Sequence, residues 1–134
     1  MTSKEMKHTT IDYGIDLGTT NSAIGRMVEG KPLIIRSDNG METVPSCISF
    51  KKNGVMKVGH SAYSELGRSK LRALKHNSAG LSDSVIEFKR FMGSDKTYLT
   101  SQAEHRWTPE ELSAQVLKAL CSFVTDEDVK AAVI

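Results

Sequence analysis

The stretch Tyr13-Gly14-Ile15-Asp16-Leu17-Gly18-Thr19-Thr20-Asn21-Ser22 concentrates residue types that suit phosphate chemistry. A glycine followed by small hydroxyl residues lets several backbone N–H groups and two hydroxyls converge on one point, which is how a loop cradles phosphate oxygens. Asp16 supplies a carboxylate beside Gly18, Thr19 and Thr20. That carboxylate would repel a polyphosphate unless a divalent cation intervened, so the pairing implies magnesium, held directly or through water. The same residues also suit a polar hairpin turn in which Thr19 and Asn21 only satisfy backbone groups. Two other phosphate loops are excluded. There is no GxxxxGK[ST], and residues 23–28 after the loop are β-like, so no helix dipole assists. Gly14 and Gly18 do not have the GxGxxG spacing of a dinucleotide fingerprint.

Elements to position these residues can be read from the apolar pattern. Ile11, Tyr13, Ile15 and Leu17 alternate, predicting a strand over 10–17. A second strand follows at 23–28, a turn at Glu29-Gly30-Lys31-Pro32 and a third strand at 33–35, which makes an antiparallel meander. Strands are also expected within 44–50 and 55–58, around the turn Lys51-Lys52-Asn53-Gly54. From Ser61 the pattern becomes helical, with Tyr63, Leu66, Leu71 and Leu74 on a broken stripe interrupted by Gly67 and ending in the segment 75–80. Ser84 suits the cap of a second short helix through Val85, Ile86, Phe88, Phe91 and Met92, with Gly93 as its stop. The third helix carries the strongest signal. Thr108 as N-cap, Pro109 at the first position and Glu111 three residues after the cap form a capping box, and Leu112, Val116, Leu120 and Phe123 share one face. The apolar run 129–134 has the character of a strand buried on both faces of a parallel sheet, and ending the sequence there reads as a stop inside a larger domain.

Composition narrows the class. The 134 residues carry a formal charge of +2, which does not suit a strongly polyanion-seeking protein. Residues 51–90 hold nine Lys/Arg against three Asp/Glu. With only Tyr63 and Phe88 as interleaved aromatics, that segment reads as a solvated helical face rather than a nucleic-acid surface. Cys47 and Cys121 stand far apart with no CxxC, and His8, His60, His76 and His105 lack metal-ligand spacing, so neither a disulfide framework nor a zinc site is indicated. No apolar signal region or membrane-length run is present, and a reducing, cytoplasmic setting fits.

Gly14-Ile15-Asp16-Leu17-Gly18-Thr19-Thr20-Asn21-Ser22 resembles the first phosphate motif of the seventy-kilodalton heat-shock chaperones, the DnaK family. Thr43-Val44-Pro45-Ser46 resembles the family's TPS segment, and Val58-Gly59 with Ala62 resembles its VG-x-x-A. Phe88-Lys89-Arg90-Phe91-Met92-Gly93 is similar to its KR-x-x-G helix end, Thr108-Pro109-Glu110-Glu111-Leu112 to its PEE-helix, and Ala131–Ile134 to the strand that leads into its next conserved stretch. The resemblance implies an α/β, actin-like (ribonuclease H-like) ATPase fold, here its first lobe. Residues 10–45 and 108–134 would form the core subdomain, 46–107 an inserted α/β subdomain, and 1–9 a disordered polar tail.

Functionally, the resemblance implies the ATP-binding part of a cytoplasmic chaperone that couples ATP binding and hydrolysis to capture and release of unfolded polypeptides. Clients would be held by a separate C-terminal domain, with a J-domain co-chaperone and a nucleotide exchange factor as further partners and neither nucleic acid nor membrane involved. ATP or ADP with magnesium would be the cofactors. Asp16 would help hold the magnesium shell, Gly18, Thr19, Thr20 and Asn21 would contact phosphates, and Thr19 would lie nearest the γ-phosphoryl. The family's VG-x-x-A is read as preceding a lysine that reaches the γ-phosphate, and Tyr63 stands at that place. A phenol cannot offset the charge developing in phosphoryl transfer, which points to a divergent branch such as HscC, with Lys70 or Lys75 as substitute cations. The chain by itself is expected not to hydrolyse ATP. Two rivals stay open: a sugar or metabolite kinase of the actin-like superfamily, and a nucleotide-binding scaffold with impaired hydrolysis.

Overall fold

The computed structural model describes residues 11–51, 54–75, 83–100 and 105–134. The expected polar tail 1–9 and the end of the first helix beyond Lys75 lie outside the described residues. Alternation sets the first strand, β1 (Tyr13–Leu17), whose Tyr13, Ile15 and Leu17 are buried while Gly14 and Asp16 face outward. Ile11 is exposed and precedes the strand. β2 (Asn21–Val28) pairs antiparallel with β1, Leu17 opposite Ser22, and β3 (Lys31–Ile35) pairs with the far half of β2. The β2–β3 turn is only Glu29-Gly30, shorter than expected. Both residues have positive φ, 50° and 77°, a geometry that suits a tight hairpin. Pro32 falls inside β3, which is tolerated because β3 lies at the sheet edge.

The apolar segment 44–50 divides between two sheets. β4 (Val44–Pro45) pairs with the start of β2, and β5 (Cys47–Phe50) is the centre of a second sheet between β6 (Met56–Val58) and β7 (Ser84–Ile86). All four β5 residues are buried. The expected helix over 84–92 is not formed. Val85 pairs with Ile48 and Ile86 with Cys47, Glu87 takes a left-handed φ of 57°, and only Phe88–Phe91 coil, as a short 3₁₀ turn. β-branched residues facing an open strand edge win over the weak helical spacing.

Helix α1 (His60–Lys75) packs on the second sheet through a different face from the expected stripe. Ala62 is fully buried, whereas Tyr63, Leu71 and Leu74 are exposed. The VG-x-x-A residues explain the docking. Gly59, at φ 90°, approaches the Val44 side chain and donates its N–H to the Cys47 carbonyl at 3.0 Å. Helix α2 (Pro109–Ser122) matches the expected helix and cap: Glu111 donates its N–H to Thr108 Oγ1, and its carboxylate accepts from the Thr108 N–H, each at 3.1 Å. Leu112, Val116 and Leu120 join Ile15, Leu17 and Ile24 of the first sheet and Ile48, Phe50, Val85 and Phe88 of the second sheet and its following turn in one core. Each such side chain contributes roughly 1.5–3 kcal/mol by leaving water, so α2 acts as the clamp joining the two sheets.

The run 129–134 pairs parallel to β1, with Ile15 N–H to the Val133 carbonyl at 2.8 Å and Val133 N–H to the Tyr13 carbonyl at 2.9 Å. The expected parallel partnership is present, but only as an isolated bridge at Val133, and Val133 and Ile134 are exposed rather than covered on both faces. Arg26 and Tyr13 tie the preceding connection to the first sheet. Arg26 forms a two-pronged pair with Asp126 at 2.8 and 2.9 Å, reaches Glu127 at 2.9 Å and lies over the Tyr13 ring, whose hydroxyl also donates to Glu127. No helix among the described residues is long and apolar enough to cross a membrane.

Candidate functional site

The turn between β1 and β2 is held by side chains from outside the hairpin. Gly18 is required by geometry: a Cβ there would lie 2.1 Å from the backbone oxygen of Asn21. Ser46, the single residue between β4 and β5, donates its N–H to the Thr20 carbonyl and its hydroxyl to the Gly18 carbonyl, both at 2.8 Å. The Ser22 and Ser46 oxygens are 2.8 Å apart, and the Gly18 N–H donates to Ser22 Oγ at 3.3 Å. Since Ser46 spends its one hydroxyl proton on Gly18, Ser22 must be the donor between the two serines. Both serines are buried and satisfied, the arrangement expected of a rigid polar cluster.

Thr19 and Thr20, at the tip, behave differently. Among the described residues neither hydroxyl, nor either backbone N–H, is engaged by another protein group. The tip therefore offers two amide donors and two hydroxyls while its root is locked. Asp16 lies on the outward face of β1, two residues before Gly18.

Of the residues singled out from sequence, the structure gathers Asp16, Gly18, Thr19, Thr20 and Asn21 at this one turn, and Tyr63 lies in the first turn of α1, whose start packs beside β4. The Tyr63 side chain is 56% exposed on α1, and its N–H merely continues the helix from Gly59. The side chains of Lys70 and Lys75 lie outside the described residues. Among the described residues Lys89 reaches the loop, its ammonium donating to the Leu17 carbonyl immediately before Gly18. The sequence carries a signal, a lysine inside the KR-x-x-G segment, but nothing in its spacing shows that a turn 72 residues away lies within reach.

The neighbours of Lys89 explain how it is aimed. Phe88 is 1% exposed and anchors the 3₁₀ turn in the core, which also removes it as a stacking aromatic for nucleic acid. Gly93 closes the turn at φ 80° and donates its N–H to a Glu110 carboxylate oxygen at 2.7 Å. That backbone hydrogen bond is the main reason the Glu110 carboxyl is held below its usual range. Thus the KR-x-x-G segment is pinned by the core on one side and by the first turn of α2 on the other, with Lys89 projecting to the loop between.

Among the described residues no group of three or more His, Cys, Asp or Glu side chains is arranged to hold a metal ion. Magnesium needs no such cage. It commonly keeps several waters and takes one or two carboxylates plus phosphate oxygens, so a single outward carboxylate beside an open donor loop fits it. Burial pushes the Cys47 thiol up to about 12, leaving it an inert core residue.

Residues 12–134 match the sequence profile of the family described as Hsp70 protein. The chain is 36% identical over 124 residues to the chaperone protein DnaK of Metamycoplasma hominis, an alignment covering 90% of this chain and 18% of that protein. It is 41% identical over 108 residues to the DnaK of Mycoplasmopsis synoviae (strain 53), covering 80% and 15%, and 36% identical over 110 residues to that of Mesomycoplasma hyopneumoniae (strain 232), covering 82% and 16%. The chain thus spans less than a fifth of the length of these curated relatives. Two antiparallel sheets clamped by helices agree with the α/β, actin-like ATPase fold of that family. With the profile running from Asp12 to Ile134 through every segment that builds the β1–β2 turn and aims Lys89, the chain belongs to the Hsp70 family.

Proposed function

We propose that this chain is the phosphate-gripping portion of the nucleotide-binding lobe of an ATP-dependent chaperone. Its ligand would be ATP or ADP with magnesium, and its setting the cytoplasm. The observation that carries the reading is the ammonium of Lys89 at the root of a turn whose tip donors are open. Thr19, Thr20 and Asn21 would grip phosphate oxygens through N–H and hydroxyl groups, with Gly18 permitting the tight turn. Asp16 would hold the magnesium shell through water, and Thr19 would lie nearest the γ-phosphoryl. Magnesium, when bound, neutralises phosphate charge. Lys89 adds a fixed cation that needs no reorganisation when charge develops, the kind of electrostatic contribution that dominates phosphoryl transfer.

Lys89 would act beside, not in place of, the lysine that the resemblance puts where Tyr63 stands, and the chaperone relatives do not favour the scaffold reading with impaired hydrolysis. The sugar-kinase alternative is not favoured by the chaperone relatives. A subdomain boundary near residue 46 is supported by the change of sheet between Pro45 and Cys47. Unfolded polypeptides, a J-domain co-chaperone and an exchange factor remain the proposed partners of the whole protein.

The test is a titration of ¹⁵N-labelled chain with MgATP, followed by amide NMR, which detects millimolar affinity. Amides 18–21 should shift with MgATP, much less with adenosine, and return when EDTA removes magnesium. Equal response to adenosine and MgATP, or none at 18–21, refutes the phosphate-loop reading.

A further inference from the structure

We infer that Ser46, with Ser22 as its partner, is the positioning residue that aims the donors of the 18–22 turn at phosphate; the inference rests on the nucleotide-binding reading above and adds a residue to it. A trans peptide is planar, so its C=O and N–H point in opposite directions. Ser46 holds the Gly18 carbonyl through its hydroxyl and the Thr20 carbonyl through its N–H. The Thr19 N–H belongs to the same peptide plane as the Gly18 carbonyl, and the Asn21 N–H to that of the Thr20 carbonyl. Fixing both carbonyls on Ser46 therefore turns both N–H groups away from Ser46, on either side of Thr19. The plane before these is set in the same manner: the Leu17 carbonyl faces the Lys89 ammonium while the Gly18 N–H faces Ser22 Oγ. Tethers on three of the four peptide planes between Leu17 and Asn21 impose one orientation on a turn that three small residues would otherwise leave variable.

The location of Ser46 adds a second consequence. It is the one residue between β4, paired in the first sheet, and β5, the buried centre of the second. A shift of the second sheet relative to the first would pull directly on the residue that orients Thr19. Ser46 thus links the phosphate loop to α1 and the second sheet without touching phosphate itself.

The experiment compares the chain with its Ser46→Ala, Ser22→Ala and doubly substituted variants, using MgATP as probe, amide NMR of residues 18–21, and thermal melting. Ser22→Ala attacks the ring from β2 and covers the case in which Ser46→Ala fails to fold. Each single variant should weaken MgATP binding about tenfold, the loss of one or two buried hydrogen bonds. The double variant should lose little more, because the serines act as one unit, and the Thr19 amide should move alike in all variants before nucleotide is added, while the Asn21 amide, tethered through the Ser46 backbone N–H, should move much less. Unchanged affinity with only a lower Tm, or losses that multiply in the double variant, overturns the inference. If wild type does not respond to MgATP, the nucleotide reading fails by itself. The unliganded Thr19 shift then decides the positioning role: movement supports it, and immobility overturns it.

Discussion

Lys89 and Leu17 are 72 residues apart in sequence, yet the Lys89 ammonium donates a hydrogen bond to the Leu17 carbonyl at the root of the Gly18–Asn21 turn. A flexible, strongly hydrated ammonium is worth ordering at a backbone oxygen only where the surroundings hold it, and here Phe88 and Gly93 do so from both sides. Replacing Lys89 with Met keeps the stem and removes the charge. MgATP binding, read from the amides of residues 18–21, should weaken at least about tenfold, the scale of one charge-assisted hydrogen bond. Tm should change little, because Lys89 is exposed and Phe88 carries the packing. An unaltered titration would remove Lys89 from the site.

Gly18→Ala tests the turn itself. The new methyl would lie 2.1 Å from the Asn21 backbone oxygen, so the backbone must move. A cost of roughly 2 kcal/mol or more is expected from forced backbone strain, together with loss of the MgATP-induced shifts. Gly67→Ala is the control: an added Cβ meets nothing within 4 Å on α1 and should slightly stabilise the helix. Urea unfolding of the two variants should therefore move in opposite directions.

Thr108→Ala removes one half of the capping box of α2 and leaves the Glu111 N–H without its acceptor. The expected loss is about 1 kcal/mol, or roughly 3–5 °C in Tm for a chain of 134 residues. Because α2 joins both sheets, the loss should appear in a single unfolding transition rather than as local fraying. Circular dichroism and tryptophan fluorescence, the latter reporting on Trp107, should give coincident curves.

Acid should destabilise the fold through identifiable carboxyls. Asp126 is held below its usual range chiefly by the Arg26 hydrogen bond, Glu111 by the Thr108 backbone and then His105, Glu110 by the Gly93 backbone, and Glu65 by Lys51. Each favours its charged form in the folded state, so its contribution is complete above the ordinary carboxylate range near pH 4 and is lost as pH falls through the lowered value. Asp126 and Glu110 are exposed and Glu111 and Glu65 half-buried, so each effect is small and, for the exposed pair above all, screened by salt. Arg26→Met should flatten part of the fall in urea midpoint between pH 5 and pH 3. Tyr13 acts at the other end: burial, then its hydrogen bond to Glu127, pushes its phenol up to about 12. Stability from the neutral phenol is complete below pH 10 and declines as pH rises towards 12, a decline that Tyr13→Phe should remove.

Short-range signals in the amino-acid order determined the pieces whose energetics are local. The alternation of Tyr13, Ile15 and Leu17 was sufficient for β1, because one face had to be buried. Thr108, Pro109 and Glu111 determined the start of α2, because a cap is made by residues within one turn of each other. The Gly18-Thr19-Thr20 turn was legible for the same reason, as were the segments that mark the Hsp70 family. Tertiary structure decided what depends on long-range packing. Val85 and Ile86 became strand rather than helix because β5 offered an unpaired edge, and α1 buried Ala62 instead of Leu71 and Leu74 because Gly59 and Val44 set its approach. The contacts of Ser46 and of Lys89 with the loop also belong to the fold. Those contacts close 28 and 72 residues of chain, and only the shared core beneath the two sheets makes such closures favourable.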